Sequence, residues 1–201
     1  MDHHGWDERY AASDLVWSAE PNMLLPPIAD TLSVGTALDL ACGEGRNAIW
    51  LARQGWQVTA VDFSQVGIDK GRRIARDDAN IEWVVADVTA YQPATTFDLV
   101  IVFYLHLAPP ALALAMQHAI AAVSPGGTLL CVGHALRNLT DGVGGPPVPE
   151  ILWTAEPFES MLSQFTPIEL GERQRPVEGS NVDAIDLIVH AIRNPFHRSG
   201  S

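Results

Sequence analysis

The sequence predicts an α/β fold in which a mostly parallel, doubly wound sheet carries helices on both of its faces. Three observations predict it. Short apolar runs alternate with helical segments between residues 36 and 133, which is the pattern of repeated β–α units. One of these units has a glycine turn between its strand and its helix. Near the end, two strand-like runs joined by a polar turn predict an antiparallel hairpin.

The stretch from Ala37 to Ala48 is the most informative part of the chain. An apolar run leads into Gly43 and Gly45 and then into a helical segment, so the order is strand, tight turn and helix. Glycine gives the backbone conformational freedom and leaves no Cβ in the way of a ligand. The free N–H groups at the start of the helix favour a negative ligand group. The stretch therefore predicts a nucleotide-binding corner.

The other elements follow from hydrophobic periodicity and from turn residues. Strands are predicted over 36–42, 56–62, 81–86, 97–103 and 128–133, and helices over 21–32, 44–54, 109–123 and 154–165, with a further helix after Ser64. The continuous apolar run 97–103 is typical of a strand covered on both faces. Residues 124–127 are predicted to be a turn, and 168–177 with 182–193 the hairpin. Five β–α units followed by this hairpin give a seven-stranded sheet.

Composition narrows the class of protein. The chain has 201 residues, of which 47% are hydrophobic, so it can form one domain (1–201) with a sizeable core. Its net charge of −12 repels phosphate backbones, which disfavours nucleic-acid substrates and anionic membranes. No apolar stretch is long enough to span a membrane, and the N-terminus has no signal-peptide pattern, so we expect a cytoplasmic protein. The cysteines and histidines show no metal-ligand spacing, so no metal is expected.

Two ligands fit the predicted corner. The spacing Gly43-x-Gly45-x-x-Ala48 satisfies a relaxed dinucleotide fingerprint, and Asp62 follows at the end of the second strand. Asp39 argues against a dinucleotide, because its carboxylate would add negative charge near a bound pyrophosphate. S-adenosylmethionine has no phosphate and carries an ammonium and a sulfonium, so it suits the corner better. An NAD(P)-dependent oxidoreductase is the alternative enzyme class.

The pattern Asp-x-x-x-Gly-x-Gly, from Asp39 to Gly45, resembles the first motif of class I S-adenosylmethionine-dependent methyltransferases, which have a Rossmann-like sheet. The longer string from Asp39 to Asn47 resembles the small-molecule branch that includes the tellurite-resistance and thiopurine methyltransferases. The Pro-Gly-Gly-x-Leu step over 125–129 is similar to one in many class I members. The resemblance implies an enzyme that methylates a small molecule on a thiol, a heterocyclic nitrogen or a phenolic oxygen and leaves S-adenosylhomocysteine. We expect a monomer or a homodimer.

The resemblance also implies a cofactor site at the strand ends. Gly43 and its neighbours would meet the methionine part, Asp62 would accept hydrogen bonds from the ribose hydroxyls, and Asp87 would lie near the adenine amino group. The expected cofactor-binding residues are Trp17, Asp39, Ala41, Gly43, Gly45, Asn47, Asp62, Phe63, Asp87, Val88 and Phe103. Simpler roles stay open for two of them, because Asp62 is also a plausible helix-capping acid and Asp87 a plausible turn residue.

Tyr104 and His106 follow the fourth strand and are the expected catalytic residues, since the resemblance places them beside the transferred methyl group. An imidazole base would give a rate inflection near pH 6–7, in the ordinary histidine range of about 6–7. His134, after the fifth strand, is the second candidate base, and either histidine is equally compatible with a structural role. Thiols and heterocyclic nitrogens need little help from a base. A non-catalytic module that only binds S-adenosylmethionine is a further alternative.

Two segments are expected to cover the site. The N-terminal segment 1–33 contains the string Trp6-Asp7-x-Arg9-Tyr10, which resembles the N-terminal signature of the family, although aromatic docking alone would explain its tryptophans. The loop 134–153 is expected on the substrate side, where the predicted substrate residues are Trp17, His134 and Trp153. The basic residues of the helix after Ser64, including Lys70, are expected to form a solvated face.

Overall fold

The computed structural model describes residues 3–16, 18–76 and 80–195. The helices are α1 (His3–Ala11), α2 (Pro26–Ala29), α3 (Arg46–Arg53), α4 (Gln65–Ala75), α5 (Pro109–Ala122), α6 (Asn138–Asp141) and α7 (Ala155–Met161), with a 3-10 turn at Pro149–Ile151. The strands are β1 (Thr36–Leu40), β2 (Gln57–Asp62), β3 (Ile81–Val85), β4 (Phe97–Phe103), β5 (Val123–His134), β6 (Phe165–Arg175) and β7 (Ala184–Arg193). No described helix combines the length and the apolar character needed to cross a membrane.

The strands form one seven-stranded sheet in the order β3-β2-β1-β4-β5-β7-β6. β1 to β5 are parallel, whereas β7 runs antiparallel to both β5 and β6. The predicted fold class and the terminal hairpin are therefore confirmed. From β1 the chain builds outward to β3 and then returns to place β4 on the other side of β1. Ligands of such sheets bind at this switch point, beyond the carboxyl ends of the strands.

Alternate residues of β1 point to opposite faces of the sheet. Leu38 and Leu40 lie in a buried cluster with α5 and α7, whereas Ala37 lies in a second cluster with α2 and α3. The sheet is thus covered on both faces, which is why its central strands read as nearly continuous apolar runs. Asp39, on the same face as Ala37, is the buried exception.

The helix predicted over 21–32 is wrong in its length, because only Pro26–Ala29 is helical. Asn22 is buried; it donates its backbone N–H to Asn47 Oδ1 at 2.8 Å and accepts the N–H of Leu24 on its own side-chain oxygen at 2.9 Å. These bonds hold the chain in a turn before the helix. Pro26 and Pro27 then occupy the first helical positions, where a missing N–H costs nothing, while inside a longer helix they would break it.

Two connections also differ from the prediction of five β–α units. The link between β3 and β4 contains no helix, since Asp87 Oδ1 accepts the backbone N–H and the hydroxyl of Thr89 at 2.8 and 2.7 Å and so forms a turn. The predicted turn 124–127 lies within β5 as a bulge, with Gly126 at φ +80°. The loop 134–153 carries a short helix and a 3-10 turn, and Asn138 ties it to β7 by accepting the N–H of Ile185 at 2.6 Å.

The N-terminal segment is docked on α3 and α4 through a buried lysine. Lys70 Nζ donates to the carbonyl oxygens of Tyr10 and Ser13 and lies 3.1 Å from the carboxylate of Glu44. Glu44 also accepts the backbone N–H of Val16 at 3.0 Å. The expectation of a solvated basic face is therefore right for the exposed arginines of α4 and wrong for Lys70.

Glu44→Gln is expected to release this segment. The amide keeps the shape of the side chain but leaves the buried Lys70 ammonium without its counter-charge, and breaking a buried pair costs about 3–5 kcal/mol. Because the segment is docked locally, hydrogen exchange of the backbone amides at 5–16 should speed up at least about tenfold, while exchange in β1 and β4 stays the same. Arg73→Gln on the exposed side of α4 is the matched control. Equal exchange at 5–16 in the two variants would show that the ion pair between Glu44 and Lys70 does not hold the segment.

Candidate functional site

Four strands deliver polar residues to one edge of the sheet. β1 leads into the glycine turn, β2 ends at Asp62, β4 leads into Tyr104 and His106, and β5 ends at His134. Ala41 and Tyr104, just after β1 and β4, have φ values of +62° and +55°, which are uncommon for residues other than glycine. Backbone strain of this kind concentrates at functional sites.

Within the described ranges, four buried side-chain atoms have no hydrogen-bond partner, and all four lie at this edge. They are Asp39 Oδ2, His106 Nε2, His134 Nδ1 and Asp186 Oδ1. Buried polar atoms are nearly always paired, because an unpaired one costs about 1–3 kcal/mol. His134 Nδ1 and Asp186 Oδ1 lie 3.1 Å from each other, so Asp39 Oδ2 and His106 Nε2 are the two of these atoms left to meet a ligand. Their position at this edge indicates a ligand site.

The glycine turn is shaped by packing as well as by backbone conformation. Gly45 begins α3 with φ +77°, and a Cβ at this position would lie 2.3 Å from Cη2 of Trp83. The same indole lies against Gly71 of α4, where an added Cβ would be 2.5 Å from it. Sequence reasoning did not identify Trp83. The side-chain oxygen of Asn47, a predicted cofactor residue, accepts the N–H of Asn22.

Asp39 is buried beside the start of α3. Burial raises its pKa to about 8 and the nearby Asp62 carboxylate adds to the rise, whereas the Ala48 N–H and the Arg46 guanidinium oppose it. Oδ2 has no hydrogen-bond partner, and a cationic partner there would favour the charged form of the carboxyl group. The ammonium of S-adenosylmethionine is such a partner, so the residue present fits the expected cofactor.

Asp62 links the glycine turn to the start of α4. Its Oδ2 accepts the N–H of Gly43 at 2.8 Å and its Oδ1 accepts the N–H of Ser64 at 2.9 Å. Burial raises the pKa of Asp62, while the hydrogen bonds from Ser64, Gly43 and Phe63 counteract that rise. Because each carboxylate oxygen has two lone pairs, the side chain keeps acceptor capacity for ligand hydroxyls.

The remaining predicted cofactor residues lie in different surroundings. Asp87 is exposed and uses Oδ1 in the turn with Thr89, which is the simpler role that the sequence left open for it. Val88 and Phe103 are buried, each in one of the two core clusters. Trp17 lies outside the described residues.

The predicted catalytic and substrate residues come together as an aromatic wall. The rings of His106 and His134 are stacked with centroids 5.5 Å apart and an interplanar angle of 11°. Tyr104 lies 4.9 Å from His134, and Trp153 lies 6.2 Å from His106, centroid to centroid. Trp153 is buried and donates its Nε1–H to the carbonyl of Leu105 at 3.2 Å. It therefore supports the wall from behind and fixes the loop 134–153 to the end of β4.

His106 is neutral at physiological pH. Its pKa is lowered to about 4, mainly by burial and in part by the neighbouring His134, whereas the Ile151 carbonyl and the Asp186 carboxylate oppose the lowering. The expectation that His106 titrates near pH 6–7 is therefore wrong, because the residue is much less solvated than a histidine in a loop. Its Nδ1 lies 3.0 Å from the carbonyl of Ile151 and so carries the proton, which leaves Nε2 as an acceptor.

Sequence reasoning missed Asp186, which lies at the centre of this side of the site. Its Oδ2 accepts the Tyr104 hydroxyl at 2.8 Å and Arg175 Nε–H at 2.6 Å, and Asn22 donates to the same Tyr104 hydroxyl at 3.2 Å. Its Oδ1 is 3.1 Å from His134 Nδ1, although the two are not well aligned for a hydrogen bond. Burial alone would raise the pKa of Asp186, but His134, Arg175 and Tyr104 together hold it below its usual range.

Three comparisons with known proteins bear on these residues. A family model described as a methyltransferase domain matches residues 37–127. Thiocyanate methyltransferase 1 of Arabidopsis thaliana is 27% identical over 158 residues, which are 73% of this chain and 67% of the relative. The structure of the N-methyltransferase NodS from Bradyrhizobium japonicum with S-adenosylhomocysteine is similar with a TM-score of 0.76 at 19% identity, over 98% of this chain and 100% of NodS. TehB from Haemophilus influenzae gives a TM-score of 0.69 at 18% identity, over 84% of this chain and 60% of TehB.

The family match covers the part of the chain that builds the predicted cofactor corner, from β1 through the glycine turn to the start of β5. The chain spans about two thirds of the Arabidopsis relative and less of TehB. The likeness to NodS extends over the whole sheet, including the terminal hairpin. The chain therefore contains a methyltransferase domain, and its sheet has the fold of the class I S-adenosylmethionine-dependent methyltransferases.

Proposed function

We propose that this methyltransferase acts on a small, flat acceptor that carries a thiol, a heterocyclic nitrogen or a phenolic oxygen. The supporting observation is the aromatic wall of Tyr104, His106 and His134, whose ring centroids are 4.9–6.3 Å apart at the edge where the unpaired buried atoms lie. Aromatic rings stack on such a wall. Small-molecule sites commonly combine apolar walls with a few polar groups in fixed positions.

S-adenosylmethionine supplies a methyl carbon that its sulfonium has already activated. In our proposal Asp39 Oδ2 holds the ammonium of the cofactor, and the backbone of residues 41–45 lines its methionine part. Asp62 receives the ribose hydroxyls on its remaining lone pairs, and Phe63 packs on the adenine. The other contributors to this site are Asn47, Asp87, Val88, Phe103 and Trp17.

The chain's own residues then have two tasks, which are to orient the acceptor and to exclude water. Tyr104, His106 and His134 orient a flat acceptor, and Trp153 stiffens that wall. The segment 1–33 and the loop 134–153 cover the site within a single domain (1–201). The name of the Arabidopsis relative favours a soft nucleophile, which needs no strong base.

Polyanions are not expected as acceptors, because the net charge of the chain is −12 and like charges repel. We therefore propose small molecules rather than nucleic acids as substrates. The cytoplasmic location and the choice between a monomer and a homodimer stay predictions from the sequence.

Asp62→Ala is expected to weaken the binding of S-adenosylhomocysteine by about 1–3 kcal/mol, because the ribose hydroxyls lose a charged acceptor. The melting temperature should also fall, since the N–H groups of Gly43 and Ser64 lose their partner. Calorimetric titration measures the affinity, and Asp69→Ala on the exposed face of α4 is the control. A folded Asp62→Ala variant with wild-type affinity would remove this residue from the site.

The activity is tested by a methyl-transfer screen over thiols, phenols and N-heterocycles, read by the release of S-adenosylhomocysteine. We expect turnover with at least one of these classes. Thermal shift with S-adenosylhomocysteine and with NADH runs beside the screen, and only the former should stabilise the protein. Stabilisation without methylation of any acceptor would indicate a binding module that has no transferase activity.

A further inference from the structure

We propose that His134, oriented by Asp186 and Arg175, is the general base for acceptors that are protonated at neutral pH. This inference rests on the proposed function, because it concerns the proton of the acceptor. It assigns roles to two residues of the terminal hairpin, which lies outside the glycine turn and the strand-end acids of the cofactor site. His134 is the catalytic residue in this proposal, and Asp186 and Arg175 are positioning residues.

The two oxygens of Asp186 have different partners. The carboxylate is fully buried, and Oδ2 already accepts the Tyr104 hydroxyl and Arg175 Nε–H at 2.8 and 2.6 Å. This leaves Oδ1 to face His134 Nδ1 at 3.1 Å. A carboxylate oxygen at this distance attracts an N–H and repels a lone pair, so it favours the tautomer with the proton on Nδ1. The lone pair of the neutral imidazole is then on Nε2.

Access to the lone pair on Nε2 depends on what surrounds the His134 ring. His134 keeps 12% of its side-chain surface exposed, and its buried unpaired nitrogen is Nδ1, not Nε2. Gly145 of the covering loop packs against the ring, with φ +77°, and a Cβ there would lie 2.7 Å from Cδ2 and 3.1 Å from Nε2. Glycine at this position therefore leaves open the space beside Cδ2 and Nε2 that a side chain would fill.

The other groups around His134 are less suited to act as the base. His106 stacks on it, but burial keeps the pKa of His106 at about 4, so His106 is a weak base. Burial raises the pKa of Tyr104, which stays neutral and is committed to Asp186. The positive charge of Arg175 disfavours a second positive charge on His134, but the Arg175 guanidinium is paired with Asp186 Oδ2. The Asp186 carboxylate is the group that stabilises an imidazolium formed on His134.

With a phenol, His134 Nε2 takes the hydroxyl proton while the phenol oxygen attacks the methyl carbon. The new O–C bond forms as the bond from that carbon to the sulfonium breaks, and its electron pair stays on sulfur as a neutral thioether. The imidazolium then releases the proton to water. An acceptor that is already a thiolate reacts without this proton transfer.

The activity test compares two acceptors with matched rings, a phenol and a thiophenol, at a pH where only the thiophenol is ionised. His134→Gln should slow methylation of the phenol by about 10²-fold or more and that of the thiophenolate by less than about threefold. His118→Gln on α5, outside the site, is the control and should change neither rate. Equal slowing on both acceptors would overturn the inference, whereas a wild-type protein that methylates neither would count against the proposed function instead.

A second test does not depend on activity. Nitrogen-15 NMR of the imidazole should show His134 with its proton on Nδ1, and Asp186→Asn should shift it toward the other tautomer, because the amide can turn its NH2 group toward Nδ1. A wild-type spectrum with the proton on Nε2 would overturn the inference. So would a tautomer that Asp186→Asn leaves unchanged. If that variant does not fold, the wild-type spectrum alone decides.

Discussion

Gly45→Ala is expected to lower the free energy of unfolding by about 2–5 kcal/mol, through two costs that add. A left-handed backbone costs an L-residue about 1–2 kcal/mol, and Gly45 has φ +77°. The new Cβ would also lie 2.3 Å from the Trp83 ring, and relieving an overlap of this kind costs about 1–3 kcal/mol. Urea denaturation measures the sum, and binding of S-adenosylhomocysteine should fall with it, because the displaced turn carries Gly43.

The chain offers a control that separates the two costs. Gly179 has φ +76°, and an added Cβ there would meet nothing within 4 Å. Gly179→Ala therefore measures the backbone cost alone, and its difference from Gly45→Ala is the steric cost. A Gly45→Ala variant that loses no more stability than Gly179→Ala would contradict the packing of Trp83 against the turn.

The parts of the fold that the sequence predicts well are those whose signals are local. Apolar runs locate the strands, because a strand covered on both faces needs apolar residues throughout. Gly55 follows α3 with φ +98°, as expected for a residue that ends a helix. Ser64 caps α4 by accepting the N–H of Gly67 at 3.0 Å, as its residue type favours. The glycine turn and the two acids near it, Asp39 and Asp62, are likewise predicted from local signals.

Asp186 and Arg175 differ in this respect, since no local pattern says which residue they meet. β7 is antiparallel, so its first residues lie beside the end of β5, and Asp186 pairs in register with His134. That register is a property of the assembled sheet. One sequence signal was available, namely an acid inside the apolar run 184–189, because a charge in a buried strand needs a partner. For this reason Asp186 is a candidate site residue from the sequence alone, before its partners are known.

For Lys70 and His106, the sequence pattern does not predict how deeply the side chain is buried. A lysine on a helix rich in arginine is typical of a solvated face, and only the docking of the N-terminal segment buries it. The pKa of His106 likewise depends on how tightly residues 134–153 pack over the end of β4. Both outcomes depend on contacts between segments far apart in sequence. The pattern within either segment does not contain them.

Asp39→Asn is expected to stabilise the cofactor-free protein at neutral and alkaline pH while it weakens cofactor binding. The pKa of Asp39 is about 8 in the folded protein, against an ordinary value of 3.8. Between these two pH values the folded chain holds a proton that the unfolded chain has released, so stability falls as the pH rises from about 4 to about 8. Asparagine has no proton to lose, so the variant should escape this fall, a gain on the order of 5 kcal/mol at pH 8 for a shift from 3.8 to about 8.

Asp98→Asn is the matched control, because the pKa shift of this acid has the opposite sign. Hydrogen bonds from Thr36 lower the pKa of Asp98, which lies at the other end of the neighbouring strand. Its contribution to stability is therefore present above its ordinary pKa and lost as the pH falls. Melting temperatures are measured from pH 4 to pH 9 for both variants and for the wild-type protein. Relative to the wild type, Asp39→Asn should become more stable toward alkaline pH, and Asp98→Asn should be less stable at neutral pH.

Asp39→Asn should also weaken the binding of S-adenosylhomocysteine. In the wild-type protein the ammonium of S-adenosylhomocysteine favours the charged form of Asp39, so binding at pH 7 should release about one proton to the buffer. Calorimetry in buffers of different ionisation enthalpy counts that proton. Asp39→Asn should release none and should bind about 10- to 100-fold more weakly, since a hydrogen bond to a charged group is worth about 1.5–3 kcal/mol. Binding by the wild-type protein without proton release would show that the ammonium does not meet Asp39, because a carboxyl group that is mostly protonated at pH 7 has to lose its proton to pair with a cation.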